Sequence, residues 1–273
     1  LRMWEKRYAA VTPQRTEAGG RLYTDADVER LRLLHGLVER GHSIGGIATL
    51  PDVDLRHMSA AFPPPASEAP THHLPAVRER VMEAIERLQV NEAEQMLSRA
   101  ALSTEPVEFL KRIVGPILVE VGERWDSGEL RIAHEHACSA VMRGLLFSLM
   151  RLYPAADATR RVVVATPAGE DHELGALMVS MLAAMHGWSA LYLGPDLPAA
   201  EIAYAVEETE AELLMLSVAN LDEAASRREL GAIESALPRR VKIMAGGRAA
   251  STEDGSRIVL EQDLEVVASS LSR

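Results

Sequence analysis

The sequence predicts a multidomain protein that combines α and α/β architecture, and three observations lead to this fold class. Residues from about 76 to 153 show helical periodicity throughout, whereas short apolar runs alternate with helix-length segments from residue 160 onward. A proline-rich stretch separates both regions from a basic N-terminal segment. With 273 residues, the chain has room for two or three domains, each with its own core.

Composition and charge further restrict the kinds of protein that this chain can be. No run of about 18 apolar residues is present, so we expect no transmembrane helix. The single cysteine, Cys138, argues against a disulfide framework and favours a cytoplasmic protein. The net charge is −11, yet residues 1–21 hold five basic and two acidic side chains. A basic N-terminal segment on an otherwise acidic chain is compatible with binding to phosphate groups through that segment.

The N-terminal segment, residues 1–56, is predicted to hold a β-hairpin followed by two helices. Gly19-Gly20 supplies the turn of a tight hairpin. Thr24 is the expected N-cap of the first helix, with Asp27 in the capping-box position. The chain starts in what reads as the middle of a helix, so we expect this domain to be incomplete at its N-terminus. Residues 57–75, rich in proline, are predicted to form a linker.

Residues 76–155 are predicted to form a four-helix bundle, because four amphipathic segments follow one another with short connections. The third helix is expected to start at a Ser103/Thr104 cap and to run to Trp125, before a break at Asp126-Ser127-Gly128. The fourth is expected from about Ile132 to Leu152.

Residues 160–273 are predicted to form a five-stranded, doubly wound parallel sheet of the flavodoxin-like (Rossmann-like) kind. The segments between the apolar runs are long enough for crossover helices. The candidate strands are Val162–Thr166, Ala190–Leu193, Leu213–Val218, Ile243–Ala245 and Val266–Ala268.

The main candidate site follows the first of these strands. His172 lies on the loop after it, at the sheet edge where open parallel sheets bind ligands. Glu170 can accept a hydrogen bond from one ring nitrogen and so orient the other towards a metal. A single loop histidine is usually structural, but Asp171, Gly175, Ser217 and the Gly246-Gly247 pair are expected at the same edge. There the glycines would leave room for a buried ligand tail.

Together, these residues resemble the Asp/Glu-x-His-x-x-Gly, Ser-x-Leu/Val and Gly-Gly signatures of base-off/His-on cobalamin domains. The resemblance implies that His172 is the lower axial ligand of cobalt. It also implies that Glu170, Asp171, Gly175, Ser217, Gly246 and Gly247 contribute to the cobalamin site.

A second group of residues falls in the predicted bundle. Nine residues separate Trp125 from Glu135-His136, a polar pair early in the fourth helix. A polar pair near a tryptophan is compatible with a pocket for a flat ligand with polar edges. The pattern Trp-x9-Glu-His resembles the bundle of the CarH/LitR family of light-dependent regulators. The resemblance implies that Trp125, Ile132, Glu135 and His136 surround the adenosyl group above cobalt.

The N-terminal segment resembles the MerR-type winged helix-turn-helix, whose first helix and the front of the second are absent here. Arginine suits DNA contact because its planar guanidinium binds phosphates and base edges in a bidentate way. The resemblance places the DNA-binding side chains on the recognition helix and the wing: Arg2, Lys6, Arg7, Tyr8, Arg15, Arg21 and Tyr23.

The resemblance covers nearly the whole chain and implies a light-responsive transcriptional repressor. Such a protein binds adenosylcobalamin in the dark and forms a homo-tetramer on operator DNA. It releases the DNA when light breaks the cobalt–carbon bond. In the family a histidine commonly follows the pocket tryptophan and binds cobalt after illumination; Asp126 stands here. We expect no such ligand from this position, with His134, His136 or water as the substitutes.

Two other functions remain open. A corrinoid methyl carrier for a methyltransferase would use methylcobalamin and a partner enzyme and would not bind DNA. A cobalamin-level sensor would respond to ligand abundance regardless of light. We find no nucleophile–base–orienter set and no P-loop, so the sequence favours a protein that is not an enzyme.

Overall fold

The structure, a computed structural model, describes residues 11, 14–15, 21–39, 44–55, 74–153 and 158–272. The chain divides into two compact units, Leu1–Ala69 and Pro70–Arg273, which are described separately below. Within these described ranges, no helix has both the length and the apolar composition needed to cross a membrane.

The first unit contains the predicted hairpin and helices. Strand β1 (Gln14–Arg15) pairs antiparallel with β2 (Arg21–Leu22). Helices α1 (Asp25–Glu39) and α2 (Ile44–Ile47) follow. The capping box at the start of α1 is confirmed: Asp27 N–H donates to Thr24 Oγ1 at 3.2 Å, and Thr24 N–H donates to Asp27 Oδ2 at 2.9 Å.

The small core of this unit comes from apolar side chains of the helices and the segment after them. Its buried members are Leu34, Leu37, Ile47, Ala48 and Leu55. The helix-ending Gly41, the cap Ser43 and residues 57–73 of the predicted linker lie outside the described residues.

The second unit begins with the four-helix bundle. Helices α3 (Leu74–Glu86) and α4 (Val90–Ser103) precede a long third helix, α5 (106–126), and the fourth helix is α6 (Ile132–Met150). The predicted cap at Ser103/Thr104 is wrong. The side chain of Glu105 instead accepts the Glu108 N–H at 3.0 Å, and Pro106 opens the helix, where its missing N–H costs nothing.

Helix α5 contains a π-helical segment, Leu110–Val114, between Pro106–Phe109 and Gly115–Asp126. Gly115 N–H reaches back five residues to Leu110 O, and Pro116, which has no N–H to donate, follows at the start of the last α-helical part.

The bundle is followed by the parallel sheet. Its strands are β3 (Arg161–Ala165), β4 (Ser189–Tyr192), β5 (Leu213–Ser217), β6 (Lys242–Gly246) and β7 (Val259–Leu260). They lie in the order β4-β3-β5-β6-β7, and every pairing is parallel. The crossover helices are α7 (Leu174–Met185), α8 (Ala199–Glu208) and α9 (Glu223–Ala236), and α10 (Leu264–Leu271) ends the chain.

The prediction of a fifth strand at Val266–Ala268 is wrong, because this segment is part of α10. The Asp263 side chain accepts Glu265 N–H at 2.8 Å and caps that helix. The fifth strand is instead Val259–Leu260, a short and exposed edge strand. The doubly wound parallel architecture itself is confirmed.

Strand β3 shows how the sheet separates two cores. Val162 and Val164 point towards the bundle, α7 and α10, whereas Val163 and Ala165 pack with α8 and α9. This alternation follows from the two-residue period of a strand. The bundle and one face of the sheet therefore share one continuous core.

Candidate functional site

His172 lies on the loop between β3 and α7, at the carboxyl edge of the sheet. Strands β4 and β5 flank β3 on opposite sides, so this loop starts at the topological switch point, where open α/β sheets bind ligands. The His172 side chain is 57% exposed, while the Glu170 side chain is completely buried beneath it.

The Glu170 carboxylate organises this loop. Its Oε1 accepts His172 Nδ1–H at 2.7 Å and His172 N–H at 2.9 Å. Its Oε2 accepts Ala219 N–H at 2.7 Å and Asn220 N–H at 2.6 Å, from the loop after β5. Burial raises the pKa of Glu170, but the hydrogen bonds from Asn220, His172 and Ala219 outweigh it and hold the pKa below its ordinary value.

An ionised Glu170 can only accept hydrogen bonds, which fixes the tautomer of its partner. The proton of a neutral His172 ring then sits on Nδ1, and the lone pair of Nε2 is free. The exposure of the side chain leaves Nε2 open to a ligand or metal.

The bundle presents Glu135 and His136 on α6. Glu135 Oε2 lies 2.6 Å from His136 Nδ1, and Ser139 Oγ–H donates to Glu135 Oε1 at 2.7 Å. Burial raises the pKa of Glu135, while Ser139, His136 and the charge of His172 lower it to below its ordinary value. Arg143, two turns further along α6, donates to Glu173 beside His172, so the sheet loop and α6 are close to each other.

Two apolar residues stand near the start of α6 and the end of α5. Trp125 is 47% exposed and Ile132 is 58% exposed, high values for large apolar side chains. Leu130, between them in sequence, is buried. The structure thus brings Trp125 and Ile132 to the ends of two packed bundle helices and leaves their side chains accessible.

The glycines of the predicted site have a physical role that sequence reasoning did not identify. A Cβ on Gly175 would lie 2.5 Å from Ser217 Oγ, and one on Gly246 would lie 2.5 Å from Glu261 O. Gly247 has a φ of +99°, and a Cβ there would lie 2.2 Å from Val218 O. Backbone atoms of the protein itself therefore require glycine at positions 246 and 247, apart from any ligand space, whereas at Gly175 the neighbouring atom is a side-chain hydroxyl.

Comparisons with known proteins agree with this arrangement. A family described as MerR HTH family regulatory protein matches residues 1–52, and two families described as B12 binding domain match residues 77–149 and 160–267. The HTH-type transcriptional repressor CarH of Myxococcus xanthus is 31% identical over 92% of this chain and 84% of its own length. The chain belongs to the CarH-type family of B12-binding MerR regulators.

Two further similarities involve a second repressor and a solved structure. The HTH-type transcriptional repressor CarA of Myxococcus xanthus is 28% identical over 80% of this chain and 70% of its own length. The solved structure of the Methanosarcina barkeri monomethylamine corrinoid protein has a TM-score of 0.56 and 15% identity. It covers 72% of this chain and 97% of that protein, which shows that the two share the fold.

The family's MerR-type segment is only partly described by the structure. Arg2, Lys6, Arg7 and Tyr8 lie outside the described residues. Arg15 and Arg21 face each other as register partners in the β1–β2 hairpin, and Tyr23 follows directly. The hairpin thus brings two of the predicted DNA-binding positions together.

Other residues at this edge of the sheet were not identified from the sequence. Glu173, next to His172, accepts hydrogen bonds from Arg143 of α6 and from the Tyr192 hydroxyl at the end of β4. Arg248 Nε–H donates to Ala219 O at 2.9 Å. The two members of each of these hydrogen-bonded pairs are far apart in sequence. The only sequence signal for them was the acidic residue directly after His172.

Proposed function

We propose that this chain is a cytoplasmic, light-responsive transcriptional repressor that binds adenosylcobalamin through His172. In the dark it holds operator DNA as a homo-tetramer, and it releases the DNA on illumination. The observation that carries the proposal is an imidazole with Nδ1 fixed by a buried carboxylate and Nε2 open, on a loop that Arg143 connects to the bundle helix of Glu135.

The residues at this edge fit a corrin better than a bare metal ion. Within the described residues, no group of three or more His, Cys, Asp or Glu side chains could hold a metal. One oriented imidazole would be sufficient to hold a corrin, because the macrocycle would supply the further nitrogen ligands of the cobalt. His172, held by Glu170, supplies that imidazole.

The other site residues have proposed roles on either side of the corrin. Glu170 orients His172, and Asp171, Gly175, Ser217, Gly246 and Gly247 form the sheet-edge part of the site. Trp125, Ile132, Glu135 and His136 form the upper side on the bundle. Bound adenosylcobalamin supplies a cobalt–carbon bond that visible light breaks.

The contacts between bundle and sheet provide a physical route for a structural response to ligand loss. Arg143 of α6 bonds to Glu173 beside His172. Lys111 of α5 forms ion pairs with Asp263 and Glu265 at α10. The Lys111 ion pairs are partly exposed and can rearrange at small cost, whereas Glu173 is nearly buried. The loss of a group between the bundle and His172 would therefore be felt through the Arg143–Glu173 contact.

The DNA-binding part of the proposal rests on family membership and on the charge distribution. Arg2, Lys6, Arg7 and Tyr8 would contact DNA from the recognition helix, and Arg15, Arg21 and Tyr23 from the wing. Relatives named as repressors, CarH and CarA, align over most of the chain.

A gel shift tests the whole proposal. The probe is a DNA fragment selected from a random-sequence pool by the dark, adenosylcobalamin-loaded protein. We expect a shift in the dark with adenosylcobalamin that is lost under green light, and a smaller effect of light with methylcobalamin. Equal shifts in dark and light would contradict the proposed light response and favour a cobalamin-level sensor.

One observation favours a second candidate, a corrinoid methyl carrier: the fold similarity to a corrinoid protein covers 97% of that protein. A carrier would bind methylcobalamin and a partner enzyme and would select no DNA from the pool. Failure of the selection in every cobalamin state would therefore support the carrier and contradict the repressor.

A further inference from the structure

A chain of hydrogen bonds continues behind Glu170 to a surface arginine. Arg248 Nε–H donates to Ala219 O at 2.9 Å. This carbonyl belongs to the same peptide group as the Asn220 N–H, which donates to Glu170 Oε2 at 2.6 Å. The Arg248 guanidinium and the Glu170 carboxylate are thus hydrogen-bonded to opposite ends of one peptide group.

This peptide group lies where regular structure does not hold it. It belongs to the loop between β5, which ends at Ser217, and α9, which starts at Glu223. Hydrogen bonds at the two ends of a peptide polarise and strengthen each other, and a charged donor is stronger than a neutral one. Arg248 is therefore placed to hold the peptide group whose N–H, that of Asn220, points at Glu170.

The Gly246-Gly247 pair explains how Arg248 reaches this loop. Gly247 has a positive φ and passes so close to Val218 O that no side chain fits between them. Ala249 N–H also donates to Val218 O at 3.1 Å, so the loop after β6 is tied to the loop after β5. The turn delivers the residue after the glycines, Arg248, to the side of Ala219.

We propose that Arg248 is a positioning residue that, through the Ala219–Asn220 peptide and Glu170, holds the His172 ring with Nε2 directed outward. Arg248 itself need not touch the ligand. The role of Nε2 as a cobalt ligand rests on the proposed function, whereas the effect of Arg248 on the His172 ring does not.

The test compares three variants of the whole chain in its ligand-free form. Arg248→Met removes the donor and the charge at similar length. Arg248→Gln keeps an N–H donor on Cδ, at the chain position of Nε, but removes the charge. Arg228→Met is the matched control, because Arg228 is a largely exposed arginine of α9 that pairs with Glu229.

The readout is the tautomer of the His172 ring, measured by nitrogen-15 NMR at about pH 8, where an ordinary histidine is neutral. We expect the Nδ1–H form to dominate in the wild type and in Arg228→Met. In Arg248→Met the ratio of Nδ1–H to Nε2–H should fall about fivefold, as expected for the loss of one hydrogen bond. Arg248→Gln should restore at least half of the wild-type ratio.

An unchanged ratio in Arg248→Met would overturn the proposal, and so would a ratio in Arg248→Gln as low as in Arg248→Met. Circular dichroism of each variant shows that its fold is retained. A parallel titration with adenosylcobalamin in the dark separates the two claims. If the wild type takes up no cobalamin, the proposed function fails while the NMR series still decides the role of Arg248.

Discussion

Arg143, on the fourth bundle helix, donates a hydrogen bond from Nε to Glu173, the residue directly after His172. The Glu173 side chain is only 13% exposed and also accepts a hydrogen bond from the Tyr192 hydroxyl. The ring of Tyr192 packs edge-on against Phe147 of the same bundle helix. Burial raises the pKa of Tyr192, and Glu173 raises it further, so the tyrosine stays a donor. The bundle is thus attached to the loop that carries the proposed lower ligand.

The first prediction concerns the energetic coupling of this pair. Arg143→Met should lower the free energy of unfolding by about 1–2 kcal/mol, because it leaves a nearly buried carboxylate without its cation. In a Glu173→Gln background the same substitution should cost less, with a coupling energy of about 1 kcal/mol. Urea unfolding of the four proteins in this cycle measures it. Additive effects would show that the contact carries no stability.

The second prediction concerns the ligand that replaces the adenosyl group after illumination. His134 Nδ1 accepts Arg131 N–H at 2.9 Å and caps α6, whereas His136 is 72% exposed with Nδ1 against Glu135. The His136–Glu135 pair thus repeats the chemistry of His172–Glu170. Absorption spectra after green light should therefore change in His136→Ala and match the wild type in His134→Ala. Identical spectra for all three proteins would exclude both histidines and favour water.

The third prediction concerns acid stability at Glu234. Hydrogen bonds from Ser256 Oγ–H and Arg257 N–H, at 2.6 and 2.8 Å, lower the pKa of Glu234, and the charges of Arg257 and Arg239 add to this. Because the pKa of Glu234 is lower in the folded than in the unfolded protein, ionised Glu234 stabilises the folded state at pH values above the unfolded pKa. This stabilisation is lost as the pH falls through the folded pKa.

Glu234→Gln should therefore lower the free energy of unfolding by about 1 kcal/mol at pH 7, and this difference should shrink as the pH falls below about 4.5. Urea unfolding across this pH range measures the effect. Glu208→Gln, at an exposed glutamate of α8, is the control and should have little effect at any pH. A pH-independent difference for Glu234→Gln would contradict the prediction.

The fourth prediction concerns Cys138, which is 1% exposed in the bundle core. Burial, with a contribution from the charge of Glu135, raises the pKa of its thiol to about 12. Since the thiolate is the reactive form, iodoacetamide at neutral pH should modify the native protein at least about 100-fold more slowly than the urea-unfolded protein. Mass spectrometry of timed samples gives both rates; comparable rates would mean that the bundle opens readily.

Much of the fold could be predicted from the sequence because its signals are local. The apolar runs of β3 to β6 and the helical periods of the bundle arise from burial of neighbouring residues. The fifth strand could not be predicted, because Val259–Leu260 is two residues long and exposed at the sheet edge. Val266–Ala268 carries an apolar run that serves as one face of a capped helix instead.

The candidate site was predictable only where its partners are close in sequence. Glu170 and His172 are two residues apart, so their hydrogen bond could be expected from spacing. The bonds of Glu173 to Arg143 and of Arg248 to Ala219 join segments about 30 residues apart. Such contacts follow from how the bundle and the sheet loops pack, which no local pattern encodes.

The most direct measurement of the central claim is the absorption spectrum of dark-handled His172→Ala protein mixed with adenosylcobalamin, beside the wild type and Arg228→Met. We expect wild type and control to take up the corrin with a nitrogen-ligated spectrum, and the alanine variant to bind at least about tenfold more weakly and to lose that spectrum. Equal uptake with an identical spectrum in His172→Ala would contradict the account.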